Sequence, residues 1–219
     1  MKHLFSVVLV AALFAGCNLP LRRVLQTNET PINCEVDPDA VFGRHYTAAD
    51  FQIWKVADGY EVDRMLVDTK LPDTLFFEDT RDFTRLLLIK TEDTATVGAA
   101  VRPLCRQRGW YPLWGDADAA GFQVLYILVG KPLLDGTSVA KAEACVWDGR
   151  NEVRIELKKE HHADWQRITR ESIGHCLAFT LGDRMLMAPM VNGEITGGKM
   201  FVSGGYTEDM CCAMAAVLN

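Results

Sequence analysis

His161, His162, His175 and Cys176 are the residues whose types come closest to a reactive constellation. A helix-borne zinc site needs two imidazoles one turn apart, as in His-Glu-x-x-His. Glu160-His161-His162 puts two histidines side by side instead, and neighbours on a helix point in different directions. The same geometry separates His175 from Cys176, so they do not form a base and nucleophile on one helix. The reading is surface histidines at a helix start. A hydrolase would need Cys176, or His175 or His162 beside a carboxylate, assembled only in three dimensions. The chain has no Gly-x-Ser-x-Gly elbow and no phosphate-binding Gly-Lys-Ser/Thr loop. Gly193, Gly197-Gly198 and Gly204-Gly205 read as turn glycines. The acids do not pair in a way that suggests a glycosidase. The expectation is no catalytic residue, no metal and no cofactor.

Cys17 carries a different chemistry. Leu4 to Ala15 is almost unbroken apolar sequence behind Lys2, and Ala15-Gly16 places small residues before the cysteine. This is the pattern of a secretory signal peptide. The small residues resemble a lipobox, with Phe14 departing from the usual leucine, so Cys17 is the expected lipidation site. Two acyl chains suffice for stable attachment, each buried CH₂ contributing about 0.8 kcal/mol. The apolar run is shorter than the roughly 20 residues a spanning helix needs. Residues 1–16 are therefore read as signal peptide and 17–36 as a lipid-anchored tether. The expected location is the bacterial cell envelope, facing the periplasm or the cell surface.

The charge balance, 23 Lys and Arg against 29 Asp and Glu, is mildly acidic. Without clustered cations to displace counterions, nucleic acid is excluded as a partner. Six cysteines besides Cys17 allow 15 disulfide pairings. Cys211 and Cys212 are adjacent and point apart on a helix, so a bond between them is not expected. Cys145 and Cys211 read equally well as small buried hydrophobes.

These residues need a scaffold. In 37–121, Thr47-Ala48-Ala49-Asp50 has capping-box spacing. It predicts a short helix carrying Phe51, Trp54 and Val56-Ala57, stopped by Gly59. Gly59 to Val67 reads as a strand, as does Arg85 to Lys90. Thr94 to Arg108 reads as a helix that ends at Gly109, with Pro103 inside it; a helix starting near Pro103 is the competing reading. Trp110 to Trp114 reads as core or edge packing. In 122–219, Val124 to Val129 is a strand broken by Gly130-Lys131-Pro132, and Asp135 to Ala142 opens a short helix. Ala144–Trp147 and Val153–Leu157 are strands, the second burying Val153, Ile155 and Leu157. His162 to Cys176 is the clearest helix, with Trp165, Ile168, Ser172 and Cys176 at helical spacing. A hairpin around Gly182-Asp183, a strand at Met200–Ser203 and a helix capped by Thr207 complete the chain. The fold class is α+β, a mostly antiparallel sheet with helices packed on one face.

From Leu125 to Leu218 the order of landmarks resembles the head subdomain of the first periplasmic domain of SecD, in the SecDF protein-export family. The carrying residues are Gly136, Trp165, Thr169, Gly174, Leu177-Ala178, Ala188-Pro189, Ile195, Gly197-Gly198, Ser203-Gly204 and Thr207. Trp165 stands where that family favours Phe. Leu181-Gly182-Asp183-Arg184 shifts the family's hairpin acid by one residue. The resemblance implies a recognition domain that holds emerging polypeptide. It does not imply the family's proton-driven motor, because no intramembrane helix accompanies it. Residues 37–121 carry no such landmarks. The expected function is a non-catalytic, lipid-anchored envelope protein that binds unfolded or exported polypeptide or translocon components, using open strands near Pro189 or Met200. A structural or adhesive surface lipoprotein is the alternative.

Overall fold

The structure is a computed structural model that describes residues 29–79 and 86–219. The expected signal peptide, Cys17 and the Arg85 start of one expected strand lie outside the described residues.

Two antiparallel sheets organise the chain. The smaller has the order β1 (Thr30–Pro31), β7 (Val139–Trp147), β8 (Arg150–Leu157), β11 (Lys199–Ser203). The larger runs β10 (Arg184–Met187), β9 (Leu177–Leu181), β2 (Phe51–Val56), β6 (Phe122–Asp135), β4 (Leu86–Lys90), β3 (Phe77–Asp79), with β5 (Trp110–Trp114) also paired to β6. The helices are α1 (Pro38–Phe42), α2 (Gly59–Val67), α3 (Thr94–Arg108), α4 (His162–Glu171) and α5 (Glu208–Leu218). The α+β class is as the sequence implied.

The main core lies where α4 and α5 meet both sheets. It joins Phe51, Ile53, Phe179 and Leu181 to Val153, Ile155, Leu157, Val202, Trp165 and Met214. A second core packs α2 and α3 on Leu87, Ile89, Leu125 and Ile127 through Met65, Val97, Val101 and Cys105. Helix α3 keeps Pro103 in its interior and ends at Gly109, whose φ of 66° is left-handed. Ala99, whose carbonyl loses its i+4 donor to the proline, is exposed, so water can take that bond.

Three local readings give way to tertiary context. Phe51–Val56 is a strand, not a helix: it pairs with β9 on one side and β6 on the other. A central strand buried on both faces loses the alternation that marks a half-wet one. Thr47 and Asp50 do form their capping box, but it closes a single 3-10 turn. Gly59–Val67 is helix α2, capped by Asp58, which accepts from the Glu61 amide at 2.8 Å, with Val62 and Met65 buried three residues apart. Asp135 to Ala142 supplies only one turn, Gly136–Ser138, before β7 begins.

The Gly130-Lys131-Pro132 break exists as a bulge. Pairing jumps from Lys55↔Val129 to Ile53↔Leu134, so 130–133 arch out opposite Trp54. Strand β6 continues beyond it to Asp135.

Cys34 and Cys212 form a disulfide across 178 positions, tying the start of the described chain to α5. Cys105, Cys145, Cys176 and Cys211 are buried cysteines outside that bond.

Candidate functional site

β11 ends the smaller sheet, and among the described residues its ladder bonds go only to β8. The Leu157 amide donates to the Gly198 carbonyl at 2.8 Å, and Lys199 stands opposite Glu156. Hydrogen-bonded and non-bonded pairs alternate along an antiparallel ladder. Met200 and Val202 therefore bond to β8. Lys199, Phe201 and Ser203 turn their amides and carbonyls to the open edge. The side chains divide the same way: Met200 and Val202 are buried in the main core, while Lys199 and Ser203 are exposed and Phe201 is half-buried.

Four landmark residues, Thr169, Gly198, Gly204 and Thr207, lie around this strand, and Gly197 precedes it with a left-handed φ of 84°. Thr169, fully buried on α4, donates its hydroxyl to the Trp165 carbonyl at 3.0 Å and accepts from the Ile195 amide at 2.9 Å. Gln166 bonds Glu194 beside it. Together they clamp the 192–198 loop to α4. At the entry to β11, Gly198 lies flat on the His162 ring, where an added Cβ would come within 2.3 Å. His162 Nε2 sits 3.0 Å from the Leu157 carbonyl. At the exit, a Cβ on Gly204 would come within 2.7 Å of the Tyr206 ring. Tyr206 donates its hydroxyl to the Leu186 carbonyl at 2.5 Å, so a side chain occupies β10's outer edge. Thr207 caps α5 by accepting from the Met210 amide at 3.2 Å.

The remaining landmarks close the fold behind this unit. A Cβ on Gly136 would lie 2.1 Å from the Ala48 carbonyl oxygen, so only glycine lets these two turns meet. Trp165 packs edge-on against Phe179 at 6.4 Å. Ala188 packs on the small cluster of Trp54, Leu128, Ala178 and Met185. Pro189 lies past the end of β10, its carbonyl accepting from Leu177 at 3.1 Å. Gly174 has open space around its missing Cβ and a φ of 81°. Its reason is the left-handed turn after α4, not close packing on the sheet.

The outer face of β7, β8 and β11 is charged and aromatic. Trp147 stacks on Phe201 with centroids 6.2 Å apart. Arg154 pairs with Glu29 at 2.5 Å and with Glu143, which Lys141 also contacts at 2.6 Å. Hydrogen bonds from Lys141 and Arg154 hold the Glu143 carboxyl below its ordinary range. Glu152, opposite Ser203 and Cys145, is buried, and burial pushes its carboxyl up.

Of the reactive candidates, Cys176 is buried and forms a β-bridge with Met190 outside any helix. His162 is half-buried and serves as a packing surface for Gly198, a role its Glu-His-His context does not advertise. Burial pushes the Cys105 thiol up to about 11 and the Cys211 thiol up to about 12, away from the thiolate form that attacks. No group of three or more His, Cys, Asp or Glu suited to a metal occurs among the described residues. No helix among them is long and apolar enough to cross a membrane. Sequence reasoning missed Tyr206, Glu152 and the Glu29–Arg154 pair. Only the alternation in β8 could have put Glu152 and Arg154 on a common face.

Residues 116–219 match the family model described as the SecDF P1 head subdomain. The chain is 35% identical over 93 residues to the protein translocase subunit SecDF of Thermus thermophilus, covering 42% of this chain and 12% of that protein. It is 29% identical over 107 residues to the protein translocase subunit SecD of Rickettsia typhi, covering 48% of this chain and 20% of that one. The chain thus spans a small part of these relatives. A crystal structure of SecDF in a super-membrane-facing form aligns at 23% identity and a TM-score of 0.42, covering 77% of this chain and 18% of that one.

Proposed function

We propose that the SecD-head-like domain of this chain captures extended polypeptide by strand addition at β11, on a non-catalytic protein that Cys17 anchors to the envelope membrane. The reading places it as an accessory to protein export, the process with which its relatives are named. One observation carries it: the outward amides and carbonyls of Lys199, Phe201 and Ser203 meet no ladder partner among the described residues. Main-chain bonding of this kind gives affinity without demanding a particular sequence, as a receptor for many exported chains requires. The two sheets' ends differ in a way that supports the choice, since Tyr206 occupies the edge of β10. The Cys34–Cys212 bond fits an oxidising envelope compartment. The burial of Cys176, the candidate nucleophile, weighs against a hydrolase.

The test is crosslinking and co-purification from cells expressing the full chain. A photo-reactive residue at Phe201 should trap exported polypeptides or translocon subunits. Phe201→Pro removes one outward amide without touching a β8 bond and should abolish the capture, whereas Phe201→Ala should retain most of it. Capture of neither class, or equal capture by the proline variant, defeats the proposal. Loss of labelling after removal of Cys17 from a membrane fraction checks the anchor separately.

A further inference from the structure

A cleft lies away from β11, between α2, the end of α3 and β5, with a volume of about 500 Å³. Small-molecule sites typically occupy roughly 300–1,000 Å³. Its apolar lining is Trp110, half-buried, and Val67 at the rim, which is 79% exposed, with the fully buried Met65 behind them. Its polar wall is two arginines. Arg108 is fixed three ways: it donates to Asp68 at 3.1 Å and to the Leu104 carbonyl at 3.2 Å, and it lies over the Trp110 ring at 5.9 Å. Arg64, one turn before Asp68 on α2, lies over Tyr60 at 5.9 Å. No ion pair among the described residues includes Arg64, while both acids of the cleft are occupied. Asp68 holds Arg108, and Glu61 reaches back to the Asp58 amide in the capping box.

We propose that this cleft binds a small amphipathic carboxylate, a flat apolar group bearing one carboxylate. A guanidinium presents a planar fork that matches a carboxylate in two parallel bonds. Arg64 supplies the fork, Arg108 supplies a second fixed positive charge, and Trp110 supplies a ring face for the apolar body. Tyr60, 71% exposed, lies beside Arg64. The cleft lies outside residues 116–219, so this inference does not depend on β11.

The probes are N-acetylphenylalanine and its uncharged counterpart N-acetylphenylalaninamide, titrated into the full chain. The Trp110 indole resonance, assigned by its loss in Trp110→Phe, is the readout. The acid should shift that resonance saturably, and the amide should bind at least about tenfold more weakly, since a charge-assisted fork is lost. Arg64→Ala, at an exposed position, should weaken the acid by a similar factor without changing the thermal midpoint. Arg108→Ala should also weaken it, because the second positive charge is lost. No saturable shift, equal binding of acid and amide, or an unaffected Arg64→Ala variant overturns the proposal. Should the Arg108 variant fail to fold, the Arg64 result and the acid–amide ratio still decide.

Discussion

Replacing both partners of the Cys34–Cys212 bond, Cys34→Ser with Cys212→Ala, should cost this protein a large share of its stability. The bond closes a loop of 178 positions. In the chain-entropy account the released unfolded chain gains about 5 kcal/mol of freedom at 25 °C for a loop of this size, against a total stability of roughly 5–15 kcal/mol for a domain. The native state should change little. Residues 30–46 remain held by β1 on β7, by the Arg44–Asp183 pair at 2.9 Å and by Tyr46, which is buried in the main core. The effect therefore sits in the unfolded ensemble. Urea unfolding followed by tryptophan fluorescence should show the midpoint falling by about 2 M if the slope is about 2–3 kcal/mol per molar. The slope should also rise, because the uncrosslinked chain exposes more surface. A midpoint shift below about 0.5 M, or a shift confined to a local transition of the N-terminal segment, would refute the entropic reasoning. Alkylation of Cys34 and Cys212 in the unfolded, unreduced chain would refute the bond itself.

Other outcomes follow from single contacts. Gly198→Ala should destabilise by about 2–3 kcal/mol, from a left-handed φ of 64° and a Cβ driven into His162; thermal melts check it, and adding His162→Ala should recover part of the loss. Thr169→Val strands the Ile195 amide and should cost about 1–3 kcal/mol, with hydrogen exchange rising at Ile195 more than in α4. Burial raises the Glu152 carboxyl, so the folded state binds its proton more tightly than the unfolded state does. Stability tied to this group is present below the ordinary carboxylate range and is lost as pH rises through the raised value. Glu152→Gln should accordingly raise the melting temperature at pH 7, and the gain should shrink as pH falls toward 4; a constant gain at both pH values would remove the electrostatic explanation.

Much of the C-terminal half was legible because its elements are locally determined, although the helix expected to run to Cys176 stops at Glu171 and Cys176 forms a β-bridge with Met190. β8 alternates cleanly, α4 has one apolar stripe, and Thr207 announces α5. Phe51–Val56 misled because its partners are distant: Gln52 meets Thr180, 128 positions away. Nothing local says that a six-residue apolar stretch will enter a sheet between β9 and β6. Asp58 and Glu61 were a readable capping box that the apparent alternation of Gly59–Val67 obscured. The bracing site was half legible. The glycines were identified by position, but what they approach, His162, Tyr206 and the Ala48 carbonyl, is known only from the folded chain. The disulfide pairing was one of many that spacing alone allowed.

The two edges of the smaller sheet have opposite fates, and the order β1-β7-β8-β11 makes that useful. Glu29 pairs with Arg154, Ile32 donates to the Ala144 carbonyl at 3.0 Å, and Cys34 is bonded to α5. The first described residues are thus fastened at the β1 edge. With strands about 4.8 Å apart, β11 lies three spacings, about 14 Å, from that attachment. If Cys17 is the anchor, its distance to Glu29 is at most about 40 Å, from 3.3–3.6 Å per residue. The attachment of the first described residues and the edge proposed to receive polypeptide lie at opposite ends of the sheet. A domain fastened through β11 could not do both, and this is the physical reason to assign the two roles to opposite edges.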